Sequence, residues 1–375
     1  VAPTGQVANG TGGETAVNGG DARGTGAVAV GAYARAGTRG NPPHGMNSGT
    51  VAIGGSNATT AALADGNNAI AIGTNSNSNG AKATTIGSDT IASDQFATAL
   101  GGRAEAKERG ATAIGGWSQA TGQFAVAIGG SDRFGRDKNT ELNDGSGATL
   151  ASGARSTAIG RRAKASGNDT LAFGTNAEAT GVEAVSIGKG AASTASKALA
   201  FGQGAQAKAN DTVAVGTGAQ ATLTNSVAIG VNALATGVNN LAAKERANVG
   251  NAVAIGPGVQ ALGEDSVAIG VSAGANLTTA STKQSLAIGW TAKATGLAQA
   301  VAIGPDAIAS GAQSTSIGNN TRAIGDSSIA IGGDDWNVVR TKTVAAAGNK
   351  QVHQVFEELT GMPMKQQGEA YGNPF

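Results

Sequence analysis

The sequence predicts an all-β chain, a parallel β-roll solenoid with turns of 14 residues, and three observations carry that prediction. The first is a tetrad that recurs along the chain: VAVG ending at Gly31, VAIG at Gly54, IAIG at Gly73 and onward to IAIG at Gly332, nineteen anchor glycines in all. The second is their spacing. Twelve of the eighteen intervals are 14 residues long and none is shorter, so one structural turn per repeat is expected. The third is composition. Among 375 residues there are 61 Gly but only 7 Phe, 3 Trp and 2 Tyr, and the apolar share is mostly Ala, then Ile and Val. Small side chains bury too little area for an enzyme-type core, while regular Val and Ile with 7 Pro argue against long disorder.

Within a unit such as Ser156 to Gly167 (STAIGRRAKASG), the tetrad puts Thr157 and Ile159 on one face of a strand and Ala158 on the other. A second short alternation follows, with Ala163 and Ala165 on one face and Lys164 opposite. Ala177/Glu178/Ala179 and Ala292/Lys293/Ala294 repeat it. Each unit therefore holds two short strands and two tight turns. Fourteen residues are too few for a strand–helix crossover. The glycine after the Ile supplies the freedom its corner needs. The Ile rows (Ile159, Ile187, Ile229, Ile269) are expected to fill the interior together with Phe173 and Phe201. The Ala row would then form a flat outward stripe, which makes Ala158, Ala228 and Ala268 candidates for an interface between copies of the chain.

A net charge of +1, from 26 basic and 25 acidic residues, removes the electrostatic argument for nucleic acid or an anionic membrane. Cysteine is absent, which excludes thiolate chemistry. The two histidines, His44 and His353, lie far apart, so no metal site is expected. No phosphate-cradling G-x-x-x-x-G-K-[ST] occurs, and no cofactor and no catalytic residues are expected. The first ten residues lack the basic and apolar regions of a signal peptide.

The recurring SVAIG and A-x-A-x-G elements, as in Ser226-Val227-Ala228-Ile229-Gly230 and Ala233-Leu234-Ala235-Thr236-Gly237, resemble the head repeats of the YadA-like trimeric autotransporter adhesins. The resemblance implies a left-handed parallel β-roll wound as a homotrimer, on a bacterial cell surface, with the outer-membrane anchor outside this chain.

The expected organisation is a lead-in or cap over 1–26, the β-roll head over 27–333, and a non-repetitive cap or start of a further module over 334–375. Insertions fall near 36–49, 131–149 and 238–250, and a short helix is expected over Lys350 to Leu359. Exposed loops on a rigid scaffold often carry recognition, so Arg133, Phe134, Arg136 and Lys138 are candidate ligand contacts. Trp117 and Trp290, next to anchor glycines, are candidate stacking platforms. The function expected is non-catalytic, multivalent attachment to extracellular matrix, host cells or abiotic surfaces. An ice- or glycan-binding solenoid, or a spacer presenting loop-borne receptor sites, is the alternative.

Overall fold

A computed structural model describes residues 19–37, 48–55, 59–130, 147–236, 250–271 and 279–333, with short pieces at 7–8, 15–17, 343–344, 350–351, 354 and 357. The chain divides into two compact units, Val1–Gly218 and Ala219–Phe375. Both are parallel β-solenoids with coils of about 14 residues.

Among the described residues of the first unit, thirteen three-residue strands, from Thr15–Val17 to Val213–Val215, alternate with thirteen two-residue strands, from Val7–Ala8 to Gln206–Ala207. Each long strand pairs in parallel with the long strand one coil on, as Thr157↔Leu171, Ala158↔Ala172 and Ile159↔Phe173. Each short strand does the same, as Lys164↔Glu178 and Ala165↔Ala179. A coil is thus a flattened loop with one long and one short side. The 31-residue interval before Gly160 leaves this ladder intact, because Val126 still pairs with Thr157 and Gln119 with Leu150. Pairing also begins before the first anchor glycine, where Thr15–Val17 lies against Val28–Val30.

The second unit has seven long strands, Val227–Ile229 to Ile329–Ile331, and seven short ones, Gln220–Ala221 to Arg322–Ala323. Its ladder likewise bridges an insertion, with Val227 paired to Val253. Beyond the coils, Thr343–Val344 pairs antiparallel with Lys350–Gln351. The helix expected from Lys350 is therefore not present at its start, where those two residues are strand.

Two corners per coil reverse the chain. Gly160, at φ +120°, shows why the tetrad ends in glycine: a Cβ there would lie 2.8 Å from the carbonyl of Gly174, its counterpart in the next coil. Two residues later a left-handed position follows, filled by Arg162 (φ 58°), Asn176 (φ 56°) or Gly190 (φ 66°) in successive coils.

The interior is where the sequence expectation inverts. Each coil sends small side chains inward, and in the coil of Gly160 these are Ser156, Ala158, Ala163 and Ala165, all 0% exposed. Ala228 and Ala268 are likewise 0% exposed, whereas Ile229 is 39% exposed and Phe173 and Phe201 about half. Ala faces inward and Ile outward, so the expected outward Ala stripe is absent. The cause is steric. The short strand contributes two inward Ala per coil, and opposite them only another methyl fits between sheets this close. Among the described residues Val259 is the one buried apolar side chain larger than Ala. Several buried hydroxyls that replace Ala donate to a carbonyl three residues back, as Ser118 to Gly115 (2.8 Å) and Thr170 to Gly167 (2.8 Å), whereas those of Thr50, Ser78 and Ser156 are buried without a hydrogen bond.

Two outcomes test this packing. Ala158→Leu should destabilise the fold by about 1–3 kcal/mol through overpacking, read by chemical denaturation; unchanged or raised stability would mean that position 158 faces outward. Gly160→Ala should cost clearly more than Gly190→Ala, because position 190 has open space around it and asks only about 1–2 kcal/mol for a left-handed Ala.

Candidate functional site

With Ala turned inward, each long strand presents two larger side chains outward. In the first unit these rows read Val51/Ile53, Ile70/Ile72 and, further on, Leu171/Phe173, Val185/Ile187 and Leu199/Phe201. In the second they read Val227/Ile229, Val253/Ile255, Val267/Ile269, Leu286/Ile288 and Val301/Ile303. Ile53, Ile86 and Ile255 remain 36–40% exposed, Phe173 49% and Phe201 50%. The other sheet is mixed: its outward row runs mostly through polar residues such as Glu105, Gln119, Lys164, Glu178, Gln206, Gln220, Gln260 and Lys293, interrupted by Leu63, Ile91, Leu150, Leu234 and Ile308. Parallel sheets ordinarily have both faces covered, and an apolar face this regular is an association surface rather than scattered exposure. Several of the described coils depart from the pattern, with Thr84, Thr98, Thr112, Thr157 and Thr315 in the row given elsewhere to Val, Leu or Ile.

The corners carry the polar and aromatic chemistry. In the first unit, Asn75 donates to Asp89 at 2.8 Å, the Arg103 guanidinium lies 3.5 Å from Asp89, and the same guanidinium sits 4.3 Å from the Trp117 ring centroid. These four residues occupy one corner of consecutive coils. At the other corner Arg155 grips Asp169 through two hydrogen bonds of 2.6 Å, and that bonding holds the Asp169 carboxyl below its usual range. Both side chains are exposed, so the pair orders the corner more than it stabilises the fold. Burial pushes the Asp65 carboxyl up, and Arg35 opposes the shift.

The residues singled out from the sequence are distributed as follows. Trp117 stands at a left-handed corner (φ 64°), half-buried beneath Arg103, so one ring face is already occupied. Trp290 is 50% exposed; beside it, buried Thr291 bonds to Asp306 of the next coil. Arg133, Phe134, Arg136 and Lys138, like His44 and His353, lie outside the described residues. Ala158, Ala228 and Ala268, taken as interface candidates, are interior residues; a methyl sealed between the sheets of its own coil cannot also touch another chain. Among the described residues no group of three or more His, Cys, Asp or Glu could hold a metal ion.

The outward Val/Ile rows were missed because their alternation was assigned to the wrong side. The inward Ala-x-Ala of the short strand was the available signal, since two facing Ala leave room for only a third.

Comparison with curated proteins gives no match. The YadA head domain repeat matches residues 64–88, 106–131, 151–177, 179–247, 250–273 and 280–334, more than half of the chain and in phase with the coils. With its unbroken coil ladders, inward Ala and corner glycines, the chain belongs to the YadA head-domain family, the β-roll repeats of adhesins of the trimeric autotransporter type.

Proposed function

We propose that this chain is the adhesive head of a homotrimer in which three copies pack through their outward Val/Ile faces, and that it attaches a bacterial cell surface to extracellular matrix, host cells or abiotic surfaces without catalysis. The apolar face carries this reading. Burying an Ile or Val side chain is worth about 1.5–3 kcal/mol, and a row of such pairs, one per coil, gives an extended contact without any deep pocket. Closed symmetry is the usual way to cover an apolar face of this kind. The mostly polar sheet then faces outward on all three copies, where weak, repeated contacts gain strength by simultaneous engagement.

Against an ice-binding solenoid stands the brevity of its outward Thr ladder: only Thr84, Thr98 and Thr112 follow one another before Val126. The spacer alternative differs from distributed adhesion in what the 131–149 insertion does.

Light scattering tests the assembly. The wild-type chain should have three times the monomer mass, and Ile255→Glu, which sets a charge into a dry contact in every copy, should dissociate it while leaving the β-rich circular dichroism intact. A monomeric wild type, or an undisturbed Ile255→Glu trimer, would contradict the proposal. For adhesion, replacing residues 131–148 by a single glycine restores the 14-residue interval between Gly129 and Gly160 and keeps Thr149 at its buried position. Attachment to matrix-coated surfaces should fall only in part. Complete loss would instead make the roll a spacer for a site on that insertion.

A further inference from the structure

The second corner of the first unit carries an arrangement that adhesion as such does not require. In half of the described coils of this unit its left-handed position holds a residue that suits it, such as Asn68, Gly110, Asp169 or Asp211, and in others a long charged residue stands there, as Lys82, Arg155, Glu183 and Lys197. Phe96 (φ 60°) and Phe124 (φ 55°) occupy the same position. A bulky aromatic there is an outlier, and strain of this kind concentrates at functional sites. The rings are not sunk into the fold, since Phe96 is 47% and Phe124 49% exposed, although the Lys82 ammonium lies over one face of Phe96, 5.2 Å from its centroid.

Gly110 lies between them, one coil from each. A Cβ on Gly110 would be 2.5 Å from Phe124 Cδ1 and 2.8 Å from Cε1, so the Phe124 ring lies back over the glycine, in the direction of Phe96. The result is a strip one ring wide that runs along the stacking direction. Its two rings are two coil rises apart, about 9.6 Å. Gln95, Arg109 and Gln123, each exposed, stand next to the strip in the same three coils. Planar amide and guanidinium groups therefore border flat apolar rings.

We infer that this strip is a carbohydrate-binding site for an extended β-linked polysaccharide lying along the coil stack, with alternate sugar rings stacked on Phe96 and Phe124 and their hydroxyls bonded by Gln95, Arg109 and Gln123. A sugar ring in such a chain has an apolar C–H face and a hydroxyl edge, which matches rings bordered by amides. Two coil rises span two sugar units of the extended chain. A peptide adding as a strand is disfavoured because the backbone is already in use: Gly110 N–H donates to the Gln95 carbonyl (2.8 Å) and Phe124 N–H to the Arg109 carbonyl (2.9 Å). A nucleic acid would need a cationic groove, and here Asp94 and Glu108 stand beside Arg109. The inference deepens the adhesive reading by naming a ligand class, but the strip lies within one chain and does not depend on trimer formation.

Calorimetric titration of the whole chain with cellohexaose tests it, with maltohexaose as the coiled, α-linked comparison. Cellohexaose should bind saturably and maltohexaose should not. Phe96→Asn and Phe124→Asn install a residue that this corner accepts elsewhere, at Asn225 and Asn251. Each should weaken cellohexaose binding about tenfold or more, the worth of one stacked ring, while the melting temperature holds or rises. Phe96→Tyr and Phe124→Tyr should retain binding, and this comparison still decides the matter if an Asn variant misfolds. No cellohexaose binding by the wild type, equal binding of both hexasaccharides, or binding that survives in the double Asn variant would overturn the assignment. Trimer mass measured on the same samples separates failure of this site from failure of the assembly.

Discussion

Methyl groups meeting across the inside of each coil determine how closely the two sheets approach, and the rest of the architecture follows from that distance. A methyl buries little area, about 0.8 kcal/mol for a group of that size, so no single coil is held by its core. Stability accumulates by repetition, through the backbone ladder and the contact of each coil with its neighbours. The same narrowness forces the corners to be tight, which is why Gly160 and its counterparts stand where a Cβ would strike the backbone of the next coil. It also expels every Val, Ile, Leu and Phe of the long strands to the outside.

That expulsion connects the fold to its use. A compact domain would hide its large apolar side chains and leave a polar surface. Here the small residues are hidden, and the large ones of the long strands form one outward face per unit opposite a mostly polar sheet bearing Glu105, Lys164, Glu178 and Lys293. The chain closes its own interior with Ala, and the proposed assembly would bury the Val/Ile face that the fold leaves exposed. Solenoid growth adds coils without changing either face, so insertions such as the one before Gly160 leave the core unaltered.

Much of this was legible in the sequence. The anchor glycines and their period gave the coil, the two strands per turn and the exclusion of helical repeats, and Lys164 and Glu178 correctly marked the outward row of the short strand. Alternation alone could not say which face of the long strand was inside, because Ile at 229 and Ala at 228 are both apolar and a period of two is silent about direction. The usual preference for large residues in cores pointed the wrong way, and volume decided against it. The corner aromatics were hidden for a different reason: whether a residue at a turn is left-handed depends on the hydrogen-bonded register between coils, which places Phe96, Trp117 and Phe124 at φ 55–64°.

The central claim is that Ile255 and its row face out of the chain yet are covered from water in the assembled protein. Because the chain has no cysteine, single thiols can be placed at Ala254, Ile255 and Gln260, and their reaction with a maleimide followed under native conditions. The thiols at 254 and 255 should react far more slowly than the one at 260, and conditions that dissociate the proposed trimer without unfolding the chain should release 255 alone. If the thiol at 255 in the intact protein reacts as fast as the one at 260, the apolar face is open to solvent and the account fails.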